Sequence, residues 1–474
     1  MTTSTRRTWR LLPLVLLLGG CMAVGPDYRR PDAPVSADWK QAGLWKPATP
    51  QGLDRGDAWW TVFDDPGLDA LVAAIEPSNQ NIRAAEAQYR QALALITQAR
   101  AGLFPTLGAS AQATRSQAPA TTNPRTGITT GGNTLTAQDA GVNTSWEIDL
   151  WGRIARTLEA NEASAQASAA DLAAARLSAR AALAQAWFQL RVAERRAALL
   201  ADTVEANQRA LRIAENRHAA GVVPRADVIQ AQSQLASAQA QLIDTDIPRA
   251  QLQHAIALLV GRPPAALDIA PGTLPTLPAQ LPLVLPSTLL ERRPDIAAAE
   301  RRVAAANAQV GVATAAWFPT LTLSGAAGFR STDLSNWITA PARYWSLGPS
   351  FALTLFDAGR RRGVIDQNAA IYDQRVAQYR QTVLAALVEV EDNLVALRVL
   401  ADEAIAQARA VDLARQALQI TLNQYKAGLV GFSNVVTAQT SLLSAEQAAL
   451  SVAGRQFDAA VLLVRALGGG WSQP

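Results

Sequence analysis

The chain of 474 residues has one cysteine, two histidines and two methionines. A lone Cys21 excludes an intramolecular disulfide and a cysteine metal cluster. Two isolated histidines, His218 and His254, with methionine only at positions 1 and 22, leave no soft-metal site to assemble. Charge of one sign is equally scarce. Arg6, Arg7 and Arg10 fall within the first twenty residues, which hold no Asp or Glu; beyond them 40 basic residues meet 39 acidic ones. No cationic patch of the kind nucleic acid requires is visible, so that partner is not expected. After residue 20 no stretch approaches the ~18 consecutive apolar residues of a membrane helix, which excludes a helical channel or pump. Disorder is excluded as well, because 49% of the residues are hydrophobic and only 17% charged.

What is present begins with a leader. The three arginines form a charged n-region, and Leu11 to Leu18 form an apolar core interrupted by Pro13, too short to span a bilayer. The segment ends Leu18-Gly19-Gly20-Cys21 and resembles the bacterial lipoprotein box, with residues 1–20 as signal peptide and Cys21 as the lipidated first residue. Acyl chains contribute ~0.8 kcal/mol per buried CH₂, enough for a triacylated end to anchor firmly. The same resemblance implies that Met22, rather than an acidic residue, favours sorting to the outer membrane. An ordinary signal peptide with an incidental cysteine is the alternative.

The remainder repeats itself. Gly152 pairs with Gly359, Gly221 with Gly428, and Ala231-Gln232 with Ala438-Gln439, each at an offset of 207. Phe104-Pro105-Thr106-Leu107 pairs with Phe318-Pro319-Thr320-Leu321 at 214. Four matches in order imply two copies of one unit, spanning 58–262 and 295–467. A proline-rich connector, 263–294, reads as extended chain between them. The segment 21–57 reads the same way, running along the body, and 468–474 is a tail.

Each copy holds two segments of period two. Ala140, Val142, Thr144, Trp146, Ile148 and Leu150 alternate with Gly141, Asn143, Ser145, Glu147 and Asp149. Similar alternation runs from Leu107 to Thr114, from Leu321 to Phe329 and from Leu347 to Phe356. Such runs suit strands facing lipid on one side and a lumen on the other, and a soluble sheet is the alternative. Phe104, Trp151, Trp317, Phe318, Tyr344 and Trp345 stand where an interfacial girdle would. Residues 117–136 and 331–343 read as surface loops. Four strands cannot close a barrel, and lipid does not tolerate an open edge. Three chains would supply twelve strands.

Around the strands lie long helical stretches. Gly152 to Gly221 and Gly359 to Gly428 each run without proline and would be ~100 Å long at ~1.5 Å per residue. Ala179, Leu183, Ala186, Leu190, Ala193, Ala197, Leu200, Val204, Leu211 and Ala214 keep coiled-coil spacing, with Asn207 the one polar intrusion. A return helix follows each reversal. A shorter helix precedes each strand pair, over 78–103 and 295–317. The fold class read from the sequence is thus an α+β membrane protein, a trimeric twelve-stranded β-barrel continuous with a long periplasmic helical coiled-coil tunnel.

Val24-Gly25-Pro26-Asp27-Tyr28, Trp59-Trp60, Phe63-Asp64-Asp65-Pro66-Gly67-Leu68 and Glu291-Arg292-Arg293-Pro294-Asp295 complete a pattern with the two Phe-Pro-Thr-Leu segments and the two Ala-Gly turns. From Cys21 to about Leu467 the chain resembles the TolC-like outer-membrane efflux proteins, lipoprotein branch. The resemblance implies a homotrimer in outer-membrane lipid. Its tip would dock a periplasmic adaptor coupled to an inner-membrane resistance-nodulation-division pump. The chain carries no phosphate loop, catalytic constellation or cofactor motif, so conduction would be passive.

The tip falls at the two reversals, where Gly221, Val222, Val223 and Asp227, and Gly428, Leu429 and Val430, are the expected docking residues. Asp227 or Asn434 is expected to cap the returning helix. The family's acidic gate positions correspond here to Asn434 and Thr437, both neutral, so a gate at these positions would lack carboxylates. Export of small toxic compounds is the leading reading. A type I protein secretion duct and a non-conducting envelope lipoprotein are the alternatives.

Overall fold

The computed structural model describes residues 23–35, 39–40, 58–117, 119–277 and 292–469. Cys21, the leader, residues 278–291 of the connector and the extreme tail lie outside them. In chain order the elements are α1 (Pro66–Ser78), α2 (Gln80–Ala101), β1 (Thr106–Gln117), β2 (Thr121–Thr122), β3 (Thr129–Thr130), β4 (Thr134–Ile148), α3 (Arg153–Ala219), α4 (Arg225–Asp244), α5 (Asp246–Leu259), α6 (Pro294–Ala315), β5 (Thr320–Ser331), β6 (Arg343–Ala352), α7 (Arg360–Lys426) and α8 (Phe432–Ala466). The chain sorts into two units. One combines the segment ending at Asp32 with Tyr89–Ala167 and Ala299–Gln378. The other takes Ala33–Gln88, Ser168–Ala298 and the chain from Tyr379 onward.

The first unit is organised by an antiparallel sheet in the order β1-β4-β5-β6. Its register sets Leu107 opposite Thr144, Thr144 opposite Gly325 and Gly325 opposite Leu347. Opposed residues share a face, so period-two patterning sorts most of the sheet. One face carries Leu107, Ala109, Val142, Trp146, Leu323, Ala327, Trp345 and Phe351; the other carries Thr106, Ser110, Gln112, Asn143, Ser145, Asp139, Ser324 and Arg330.

Three expectations for the strands need correction. Strand β4 starts at Thr134, inside the expected loop, because β1 continues to Gln117 and Gln117 pairs with Thr134. Strand β6 stops at Ala352, leaving Leu353 to Phe356 outside the sheet, because its partner β5 begins at Thr320, which pairs with Ala352. Tyr344 is not a girdle residue. It is opposite Gly328 and so stands on the polar face, whereas Trp345 is on the apolar one. At the helix end of the sheet Trp151 stacks on Phe318 at 4.8 Å and donates from Nε1 to the Pro319 carbonyl at 2.8 Å.

A strap formed by the start of the described chain lies against this unit. Val24 N–H donates to the Trp151 carbonyl at 3.0 Å. Arg156, nearly buried, donates to the Val24 and Gly25 carbonyls and to Asp27 at 2.8 Å. Asn307 holds the Pro26 carbonyl at 2.9 Å, and the Tyr28 hydroxyl bonds Glu300. Gly25 adopts φ +99° with its backbone so close to Gly311 that a Cβ would stand 2.4 Å from the Gly311 Cα. Only glycine fits there.

The second unit is helical. Its aromatic centre is Phe63, Phe188 and Phe457, with ring centroids 4.8 Å apart for Phe63–Phe188 and 4.6 Å for Phe188–Phe457. Asp65 caps α1 by accepting from the Gly67 and Leu68 N–H groups, and its other oxygen accepts from Trp187 Nε1 at 2.8 Å. A second polar anchor is Arg293, which donates to Asp295 at 2.7 Å, to Glu389 at 2.9 Å and to the Ala466 carbonyl at 3.0 Å.

Two differences concern helices. The helix expected over 78–103 forms as α2, and a further helix, α1, precedes it, with Asn79 between them accepting from Ile82 N–H through its side chain. The first return leg breaks at Thr245, where the second runs unbroken as the 35-residue α8. Pro248 explains the break, since its ring lacks an N–H and crowds the carbonyl four residues back, at Asp244. Between residues 263 and 277 the connector holds one short 3₁₀ turn, Pro264–Ala266. Beyond it Arg191 holds the Ala270 carbonyl and Glu194 accepts from Gly272 N–H.

Candidate functional site

Two features could carry function, the sorted sheet and the two helix reversals. In the sheet, one face is mainly apolar between Leu107 and Phe351, with Arg115, Gln138 and Arg343 on it at the end that carries the loops, and the opposite face is mainly polar. The outermost strands β1 and β6 have no further partner strand among the described residues. No described helix is long and apolar enough to cross a membrane. Among the described residues no group of three or more His, Cys, Asp or Glu is placed to hold a metal ion.

Each reversal is built on a glycine. Gly221 and Gly428 take φ +73° and +78°. At the first, Val222 N–H reaches the Arg217 carbonyl and Gly221 N–H the His218 carbonyl, both at 2.9 Å. At the second, Leu429 N–H reaches Gln424 at 2.9 Å and Gly428 N–H reaches Tyr425 at 3.0 Å. This paired pattern satisfies helix-end carbonyls and needs a left-handed residue, which glycine supplies at least cost. His218 adds a contact between Nδ1 and the Val223 carbonyl at 3.0 Å. Both turns expose apolar side chains: Val222 is 61% exposed and Leu429 75%.

The expected caps are not made. The N-cap positions are Pro224 and Gly431, and neither has a side-chain capping bond. Asp227 and Asn434 sit three residues further on, inside the first turn, where their own N–H groups bond back to the Pro224 and Gly431 carbonyls. Prolyl and glycyl caps shift the helix start by those residues, so the polar side chains arrive too late to cap. Asn434 and Thr437 are exposed, and Thr437 spends its hydroxyl on the Ser433 carbonyl at 3.0 Å.

Sequence reasoning missed the pair that joins the reversals. Tyr425, 2% exposed, packs edge-on to Phe432 at 5.4 Å within a cluster containing Ala210, Ala214, Ala231 and Val435. The Arg217 guanidinium lies 4.7 Å from the Tyr425 ring centroid and bonds the Tyr425 carbonyl. A Cβ on Gly428 would stand 3.5 Å from Arg217 Nη2, so the second turn rests directly on this arginine. Burial pushes the Tyr425 phenol above its ordinary pKa; the Asp227 carboxylate reinforces the shift and Arg217 opposes it. Tyr425, two residues before Ala427 of the Ala-Gly turn, was the available signal, since a buried Tyr at a helix end needs a lid.

Comparison with known proteins agrees with this arrangement. The outer membrane efflux protein family model matches residues 71–262 and 285–469. The chain is 33% identical over 478 residues to the probable efflux pump outer membrane protein SepC of Pseudomonas putida, covering 98% of each. It is 32% identical over 474 residues to the outer membrane protein OprJ of Pseudomonas aeruginosa, covering 98% of this chain and 95% of that protein. Among solved structures, the outer-membrane channel OprN superposes with a TM-score of 0.87 at 34% identity, over 95% of this chain and all of that one. With the family model spanning both repeats, and with relatives named as efflux components along nearly their whole length, the chain belongs to the outer membrane efflux protein family and works in the outer membrane as an efflux component.

Proposed function

We propose that three copies of this chain close a twelve-stranded barrel in the outer membrane, and that their long helices assemble a periplasmic tunnel feeding it. The observation that carries this reading is the sheet: four strands with sorted faces and two unpaired edges. A strand edge left in hydrocarbon costs several kcal/mol for each unpaired backbone group. Pairing β6 of one copy with β1 of the next removes that cost at every edge. The polar face then lines the lumen and the apolar one meets lipid.

In this reading the duct conducts passively. It receives small toxic compounds from a periplasmic adaptor and an inner-membrane resistance-nodulation-division pump. The exposed turns carrying Gly221, Val222 and Val223, and Gly428, Leu429 and Val430, would dock the adaptor. Asp227 stays beneath them beside Tyr425, and Asn434 and Thr437 would line a gate without carboxylates. Cys21 would carry the lipid, which is supported by the strap: Val24 is tied to Trp151 at the end of β4, three residues after the cysteine. Mass spectrometry of the mature N-terminus tests the lipid.

The experiment for the whole reading is native mass measurement of the detergent-purified mature protein, followed by conductance in planar bilayers. A trimer that conducts is expected. A stable single subunit, or a trimer that never conducts even with its adaptor, refutes the duct and leaves a structural role.

A further inference from the structure

Near the end of the sheet that carries the β1–β4 and β5–β6 links, three chemically distinct side chains meet on the polar face, one from each of β4, β5 and β6. Asp139 is opposite Arg330, Gly141 opposite Gly328, and Gly328 opposite Tyr344. The two glycines leave the wall bare between them. A Cβ on Gly328 would stand 2.6 Å from the Gly141 Cα, and one on Gly141 only 2.9 Å from the Tyr344 hydroxyl. Tyr344 therefore lies across the bare strip rather than projecting from it, and its hydroxyl donates to Asp139 Oδ1 at 3.2 Å. Arg330 covers the ring, with its guanidinium carbon 5.0 Å from the centroid, and donates from Nε to Asp139 Oδ2 at 2.6 Å.

The arrangement has a polarity. Both carboxylate oxygens are occupied from the wall side, and the Asp139 side chain is 25% exposed against 68% for Arg330. As a stability device an exposed pair of this kind is weak. What the glycine strip, ring and carboxylate achieve together is a cation held in one place on a polar wall, its compensating anion tucked beneath. Fixed charge on the wall of a narrow low-dielectric passage raises the local concentration of the opposite charge.

We propose that Arg330, positioned by Asp139 and Tyr344, is an ion-selectivity site of the duct. It favours solutes bearing an anionic group, such as a carboxylate or phosphate, over cations. The proposal rests on the barrel reading, which turns the polar face inward and brings three such sites to one level of the lumen.

The test is the reversal potential of the full-length protein in planar bilayers under a potassium chloride gradient. Arg330→Gln uncovers Asp139 and should shift the permeability ratio toward cations by about twofold or more; Asp139→Asn should shift it toward anions. Arg330→Lys should stay near wild type, and the double substitution should cancel the single shifts. Each shift should be largest near 0.01 M salt, where the screening length is about 30 Å, and fade toward 1 M, where it is about 3 Å. Conducting Arg330→Gln and Asp139→Asn channels with the wild-type reversal potential at low salt overturn the site while leaving the barrel standing. A wild-type protein that forms no conducting channel overturns both.

Discussion

Arg217→Leu isolates the bond between the two reversals. Leucine keeps apolar cover over Tyr425 but removes the charged donor to the Tyr425 carbonyl and the stacking on its ring. A charge-assisted bond contributes ~1.5–3 kcal/mol and the cation–ring contact ~0.5–1 kcal/mol in a partly solvated setting. Two effects offset this. The Tyr425 carbonyl keeps its bond from Gly428 N–H, so no acceptor is orphaned. The Arg217 Nε, buried without a hydrogen-bond partner, disappears and relieves ~1 kcal/mol. The net loss is about 1–3 kcal/mol, which raises local opening of the second turn roughly 5- to 150-fold. Hydrogen exchange followed by mass spectrometry reads this directly at the Gly428 and Leu429 amides. Amides in α8 beyond Val452 should exchange at the wild-type rate, because Arg217 bonds and stacks only at the turn end of the helix pair. Unchanged exchange at Gly428, or equal acceleration along all of α8, refutes the reasoning.

Alkali should act at the same place. The Tyr425 phenol is held neutral by burial, so its contribution is intact below about pH 10, where an unfolded tyrosine titrates, and is lost as pH rises through the higher folded value. Opening of the turn, corrected for intrinsic exchange, should therefore steepen above about pH 10, and Tyr425→Phe should flatten that rise. Asp458 is a carboxyl raised by burial against the opposing bond from Gln189 Nε2. Its ionised form costs stability at neutral pH, so Asp458→Asn should raise Tm at pH 7. The gain should close as pH falls toward about 4, and a constant gain across that range would contradict the assignment. Gly25→Ala combines a strained φ, about 1 kcal/mol, with a backbone clash worth roughly 1–3 kcal/mol. It should speed limited proteolysis between Ala23 and Asp32 while melting of the helices barely moves.

Several features were legible because their causes are local. Alternation at Ala140 to Ile148 reports a sheet with unlike faces whatever its partner is. Gly221 and Gly428 report reversals because the left-handed backbone is a property of the residue itself. Boundaries failed where a neighbour decided them. Leu353 to Phe356 continue the strand pattern, yet β5 offers nothing opposite them. The caps failed for a nearer reason: Pro224 and Gly431 start their helices early, so Asp227 and Asn434 fall within the first turn. Pro248 was present to be read as the cause of the Thr245 break, since the helical spacing from Val228 to Leu242 ends before it.

The sequence by itself determined the repeated motifs, the sorted strands and the glycine turns, which follow from self-similarity, periodicity and single-residue backbone preference, and the family, which follows from the resemblance of its motifs. Only the tertiary structure decided that Arg217 covers Tyr425, 208 positions away, and that Tyr344 fills a glycine strip on another strand to reach Asp139. Such pairs leave no periodic trace. An arginine on a helix or a tyrosine at a strand end has many equivalent places to go, and what selects one is the geometry of surfaces brought together by folding.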